Sequence, residues 1–182
     1  MLKRPVSIHK IGQLTYRQSF RKYNGNYYSV DDQGHISVQD STFTETASAT
    51  LSVGHGNAFQ LGNNGYAYIS GWNDHKVYKI DLSTLTIADT ITLPTSSGRT
   101  GAVVDDINGI AYIFQTQSNT ASTSENYNFI VYDYVNGEVL RTTKTTVAFG
   151  AMQACDYADD KIPLMNGKPS GSLANGLRIY DL

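Results

Sequence analysis

Four short stretches of this chain open on a turn and run on as a strand, and that recurrence limits the fold more than any other feature. Asn24-Gly25 leads into Asn26-Tyr27-Tyr28-Ser29-Val30, and Asn64-Gly65 into Tyr66-Ala67-Tyr68-Ile69-Ser70. Asn108-Gly109 leads into Ile110-Ala111-Tyr112-Ile113-Phe114, and Asp160 into Lys161-Ile162-Pro163-Leu164-Met165. They recur every 40 to 52 residues. Asn-Gly accepts positive φ at both central positions, so the first three predict a hairpin turn followed by a strand. A second series keeps step with the first: Ile36-Ser37-Val38-Gln39-Asp40, Val77-Tyr78-Lys79-Ile80-Asp81, Phe129-Ile130-Val131-Tyr132-Asp133 and Leu177-Arg178-Ile179-Tyr180-Asp181. Each is an apolar strand ending in Asp, whose carboxylate suits backbone N–H groups one or two residues on. Polar, Thr-rich strands follow at 42–53, 86–93 and 138–147. Small apolar stretches at 98–104 and 150–155 then lead to the next turn.

A unit of about 45 residues with four antiparallel strands, small and apolar at one side and polar at the other, has the size of a propeller blade. The expected fold is all-β: a β-propeller of four four-stranded blades forming a single domain over 1–182. Its units are 15–53, 54–97, 98–147, and 148–182 plus 5–11. The fourth unit lacks an outer strand, and Pro5-Val6-Ser7-Ile8-His9-Lys10-Ile11 is expected to supply it and close the ring, because closure removes exposed edges. The alternative is a truncated part of a five- to seven-bladed propeller.

Composition agrees with strands and tight turns: thirteen Tyr, with Thr, Ser, Gly and Asn filling much of the rest. The net charge of −2 and the lack of any basic run argue against nucleic acid as a partner. Residues 1–12 hold no apolar signal-peptide core, and no run reaches membrane-spanning length. Membrane insertion is therefore not expected. A protein of this kind working outside a cell would leave by lysis or within a larger particle. Cys155 is the single cysteine, which rules out an intrachain disulfide and fits a small core residue.

Propeller function usually sits where inner strands meet at a central channel. Counting back from each turn gives Arg17 beside Tyr16, His55 with Asn57, Arg99 beside Thr100, and Gln153. Units related by rotation bring these groups to one mouth of the channel. There they either bind a ligand or fill the channel with water and one another. Gly54 and Gly56 flank His55, and glycine lets a backbone approach a ligand or a neighbouring blade closely. Arg17, Arg99 and His55 suit a phosphate or carboxylate. Trp72, Asn73 and Asp74 form a hairpin tip whose ring and polar groups suit a sugar or peptide, or else an ordinary turn. The segment 115–128 is a long polar insertion. The acidic doublets Asp31-Asp32, Asp105-Asp106 and Asp159-Asp160 raise calcium as an ion, but EF-hand spacing is missing and solvated turns are the better expectation. No cofactor is expected otherwise. Nucleophile-elbow, P-loop, zinc-protease and Cys-pair motifs do not occur.

The run Ala67-Tyr68-Ile69-Ser70-Gly71-Trp72-Asn73-Asp74-His75-Lys76-Val77-Tyr78-Lys79-Ile80-Asp81 resembles the YVTN-type propeller repeat. Gln18-Ser19-Phe20, followed a blade later by Gly54-His55-Gly56, resembles the propeller domains of receptor-binding tail proteins of phages and prophages of Gram-positive bacteria. That second resemblance implies a virion component recognising a cell-surface glycan, without the stem and tower regions such proteins carry. The leading expectation is thus a non-catalytic propeller whose partner is a cell-surface glycan or a protein, oligomerisation being left open. The alternatives are a propeller hydrolase or lactonase with a channel metal or paired carboxylates, and an inert scaffold.

Overall fold

The computed structural model describes residues 17–31, 33–54, 56–63, 65–71, 73–96, 98, 100–116, 127–145, 151–155, 161–167 and 176–181. At 17–18, at 56–58 and after 145 it describes the backbone alone. All the regular structure among them is β. The first sheet holds β1 (Arg17–Tyr23), β2 (Asn26–Asp31), β3 (His35–Gln39) and β4 (Glu45–Thr50) in that order. The second holds β5 (Gly56–Leu61), β6 (Tyr66–Gly71), β7 (Lys76–Asp81) and β8 (Thr86–Thr92). The third holds β9 (Thr100–Asp105), β10 (Ile110–Thr116), β11 (Tyr127–Asp133) and β12 (Glu138–Thr145). The fourth is three-stranded: β13 (Ala151–Cys155), β14 (Lys161–Gly167) and β15 (Gly176–Asp181). Every pairing is antiparallel between consecutive strands, as short turns require. The segment 5–11, expected to complete the fourth sheet, lies outside the described residues.

The turns follow local chemistry. Asn24 and Gly25 have φ of 46° and 82°, and Tyr23 pairs with Asn26, so two residues close the first hairpin. Asn108-Gly109 departs from that expectation. Ile110 pairs with Asp105, so the loop is 106–109 and only Gly109 is left-handed, at 73°. The cause is Asp105, whose Oδ1 accepts the N–H groups of Ile107 (3.1 Å) and Asn108 (3.2 Å) and stabilises a longer loop. The strand-ending aspartates cap their turns in the same way. Asp40 Oδ1 accepts from the N–H groups of Thr42 and Thr44, Asp81 Oδ1 from Ser83, and Asp133 Oδ1 from Val135 and Asn136. Each has a donor two residues on, as expected, and Asp40 and Asp133 add donors four and three residues on.

Burial grades outward. All of β9 is buried, whereas β4 is exposed almost throughout. The inner strands β1, β5, β9 and β13 lie against one another. Because successive side chains of a strand face opposite ways, the second sheet serves two cores. Ala67, Ile69, Tyr78 and Ile80 pack with Tyr28, Val30, Ile36 and Val38 of the first sheet. Tyr68, Val77 and Ile91 pack with Val104, Ala111, Ile113 and Ile130 of the third. Each fully buried Ile or Val there contributes roughly 1.5–3 kcal/mol.

Polar pins cross the second interface. Gln60 of β5 donates through Nε2 to the Val104 carbonyl (2.6 Å) and accepts the Val104 N–H through Oε1 (2.8 Å). Asp106 accepts from the Asn63 backbone N–H (2.8 Å) and from Asn63 Nδ2 (2.7 Å). The outer strands share one irregularity. Thr46, Ala88 and Leu140 are each an extra residue bulged out of the pairing of β4, β8 and β12 at the same place in their sheets.

Candidate functional site

The two ends of the sheets differ. One carries the β2–β3 and β6–β7 turns and the connections between sheets, and those of the expected site residues that are described stand there. Arg17 is the first residue of β1, Asn57 the second of β5 and Gln153 the third of β13. All three lie near the beginnings of inner strands that adjoin one another. Their side chains, and His55, Arg99 and Trp72 entirely, lie outside what is described. Thr100, next to Arg99, is buried and donates through its hydroxyl to the Gly71 carbonyl of the second sheet (3.3 Å).

The inner strands share a backbone feature at this end that the sequence did not announce. Pairing of β1 with β2 shifts between Arg17 and Ser19. Pairing of β5 with β6 shifts between Gly56 and Ala58, leaving Asn57 as the extra residue. Pairing of β13 with β14 shifts between Met152 and Cys155, the interval that holds Gln153. β9 pairs without a shift. Bulges concentrate beside functional sites because they re-aim a side chain out of the alternating pattern.

Asn73 is exposed at the β6–β7 tip, but Asp74 turns inward. Its carboxylate accepts from the Gly54 N–H (3.1 Å), the Lys76 N–H (3.3 Å) and the Tyr78 hydroxyl. Burial first, and then the Asp74 carboxylate, push the Tyr78 phenol up to about 12. The same carboxylate explains two glycines. A Cβ on Gly54 would lie 2.7 Å from Asp74 Oδ2, and one on Gly71 only 1.9 Å from Oδ1. Gly54 therefore makes room for a neighbouring turn of its own sheet, and Asp74 latches that turn to the start of the sheet.

The first sheet has a parallel arrangement. Asp31 is buried and accepts from the N–H groups of Gln33 and His35 (2.9 Å each), and its Oδ2 meets His35 Nδ1 at 2.8 Å. Burial pushes the Asp31 carboxyl up, but the His35 N–H and imidazole and the Gln33 N–H outweigh it and hold it below its usual range. Asp105 is also buried, with its oxygens on its own loop and on Asn108 Nδ2 (2.7 Å). These first members of the doublets Asp31-Asp32 and Asp105-Asp106 are thus buried turn caps instead of solvated groups. Asp32 and the doublet Asp159-Asp160 lie outside the described residues. Among the described residues no three His, Cys, Asp or Glu side chains gather as metal ligands would. No helix there is long and apolar enough to cross a membrane.

No protein-family model matches the chain, and no curated protein matches it in sequence. Solved structures do match in shape. The structure of U3-55K aligns with a TM-score of 0.57 at 9% identity, over 86% of this chain and 47% of that one. The WD40 repeats of RRP9 align at 0.56 and 10%, over 86% and 46%. A protein of unknown function from Bacteroides caccae aligns at 0.58 and 16%, over 75% and 52%. Antiparallel sheets whose inner strands adjoin, together with these likenesses, define a repeat protein of the WD40-like propeller fold. At such identities the likeness concerns the fold alone. The chain spans about half the length of the propellers it matches.

Proposed function

We propose that this protein is a non-catalytic binding propeller, and that its ligand is a cell-surface glycan carrying anionic groups, held at the end where the inner strands begin. The observation that carries this reading is the recurrence of a pairing irregularity near the start of β1, β5 and β13: at Gln18 beside Arg17, at Asn57, and in the interval that holds Gln153. Three departures from regular pairing at one end, on strands that adjoin, set the backbone there apart from the regular sheet, as backbone beside a binding site often is. Arg17, with Arg99 and His55 on the neighbouring connections, supplies charge for phosphate or carboxylate, and Asn57 and Gln153 supply hydrogen bonds to hydroxyl groups. A glycan of that kind fits a phage or prophage tail component, the setting implied by Gln18-Ser19-Phe20 and Gly54-His55-Gly56.

Calorimetric titration with glycerol phosphate oligomers and with neutral cello-oligosaccharides tests the proposal. The phosphate-bearing ligand is expected to bind, with loss of at least about tenfold in affinity, or roughly 1.4 kcal/mol, in Arg17→Ala and Arg99→Ala. Binding of neither ligand, or binding that both substitutions leave intact, refutes it.

A further inference from the structure

The opposite end of the propeller has a different chemistry. There lie the β1–β2 and β3–β4 turns of the first sheet and their counterparts in the second and third. Asn63 bonded to Asp106 ties the second and third sheets together at this end. Every large apolar side chain that is exposed among the described residues lies on or beside these turns. Ile107 is 77% and Val135 72% exposed at neighbouring turn tips of the third sheet. Leu140 at 54% and Val139 at 50% follow on the first residues of β12. Phe20 and Phe43, at 39% and 38%, flank Tyr27 on the first sheet. Those three rings lie nearly parallel, with centroids 4.8–6.3 Å apart. Phe43 holds φ of 62°, a conformation unfavourable for a bulky aromatic residue, in a turn where the third sheet uses Gly137.

Among the described residues, four turns of the first three sheets at this end carry charge of one sign. The turns at 40–44, 81–86, 105–110 and 133–138 contain Asp40, Asp81, Asp105, Asp106, Asp133 and Glu138 and no Lys or Arg. The ammonium groups of Lys22 and Lys79 rest against the rings of Tyr27 and Tyr66 at 5.5 and 4.1 Å, and Arg141 follows Leu140 on β12. Aliphatic tips neither stack on a sugar nor hydrogen-bond to it, and an acidic frame repels an anionic glycan. A contiguous apolar surface inside a polar frame marks a protein-binding face, and the sign of the frame selects the partner.

We propose that this end docks a segment of a partner protein that is both apolar and basic, seated on Ile107, Val135 and Leu140. This docking face is independent of the glycan reading, which concerns the other end.

The test is calorimetric titration of the whole chain with a short amphipathic Leu/Lys peptide and with its Leu/Glu counterpart, at low and high salt. The Leu/Lys peptide is expected to bind and the Leu/Glu peptide not to bind. The double substitution Ile107→Ser with Val135→Ser should weaken binding by at least about tenfold. Both positions are largely exposed, so folding should survive, as circular dichroism checks. Glu138→Lys should weaken binding and its salt dependence, and Asn73→Ala, at the far end, should change nothing. Equal binding of both peptides, no binding of either, or an undiminished affinity in the double variant overturns the proposal. Self-association of the wild-type chain that the double variant abolishes, without peptide binding, also overturns it and makes a second copy the occupant.

Discussion

Gln60 offers the sharpest test of how the blades are held together. Its amide spans from β5 to β9 and bonds both the N–H and the carbonyl of Val104, on the edge of β9 that faces away from β10. Gln60→Leu keeps nearly the same volume and leaves those two buried backbone groups bare. An orphaned buried group costs about 1–3 kcal/mol. Some relaxation is expected, so the loss should be roughly 2–4 kcal/mol, or about 5–15 °C in Tm for a chain of this size. Gln39 supplies the internal contrast. It is equally buried, but its Nε2 donates to the hydroxyls of Ser29 (3.2 Å) and Ser37 (2.8 Å), while its Oε1 has no partner. The two serines also bond each other at 3.1 Å. Gln39→Met removes an unsatisfied acceptor along with those bonds, so it should cost less than about 1 kcal/mol. Urea unfolding of both variants, followed by Tyr fluorescence and circular dichroism, measures the pair. A Gln60→Leu protein within about 0.5 kcal/mol of wild type, or one no weaker than Gln39→Met, would refute the reasoning.

Three further outcomes are expected. Gly71→Ala should cost about 1–3 kcal/mol by displacing the Asp74 carboxylate, and most of that penalty should vanish when Asp74 is already Ala; additivity in the double-mutant cycle would contradict the latch. Asp31, Asp40, Asp81 and Asp133 all have carboxyls held below their usual range of 3.8, by burial outweighed by His35 and Gln33 hydrogen bonds at Asp31 and chiefly by turn hydrogen bonds at the others. A depressed folded value means their stabilisation is complete above the unfolded value and is lost as pH falls through the folded one. The urea midpoint should therefore hold steady from neutral pH down to about 5 and drop steeply below about 4, with a shallower drop in Asp40→Asn and Asp81→Asn; a flat acid limb would count against the caps. Finally, Asn63→Ala and Asp106→Ala should show a coupling of roughly 0.5–2 kcal/mol, and a coupling near zero would mean that this contact between sheets carries no stability.

The strands were legible because their signals are local. Asn24-Gly25 specifies its hairpin through φ at two adjacent residues, and Asp40, Asp81 and Asp133 cap turns that begin at themselves. The inner-to-outer grade, from small apolar Ala102-Val103-Val104 to the Thr-rich outer strands, was readable for the same reason. What escaped was non-local. Gln60 stands between Phe59 and Leu61 in a stretch that reads as an ordinary strand, and its partner is 44 residues away. The latch that Asp74 forms could not be read from its neighbours in sequence, because Gly54 and Gly71 matter to it chiefly for their lack of a side chain. The irregularities near Arg17, Asn57 and Gln153 have no residue signature, since a bulge depends on the partner strand as much as on the bulged residue. At the other end, Ile107 and Val135 belong to separate turns that nothing in the local sequence joins. Only the fold sets them side by side.

The bulges at Thr46, Ala88 and Leu140 bear on how the protein behaves when crowded. An outermost strand bares a row of unpaired N–H and carbonyl groups, the template from which cross-β fibrils grow. Here β4, β8 and β12 are each interrupted once, at the same place relative to the strand they pair with, and the extra residue coils the rim locally out of the straight path that another edge would follow. Three rims distorted alike make these strands poor templates along which copies of the chain could stack. The guard recurs with the repeat, once in each of the first three sheets.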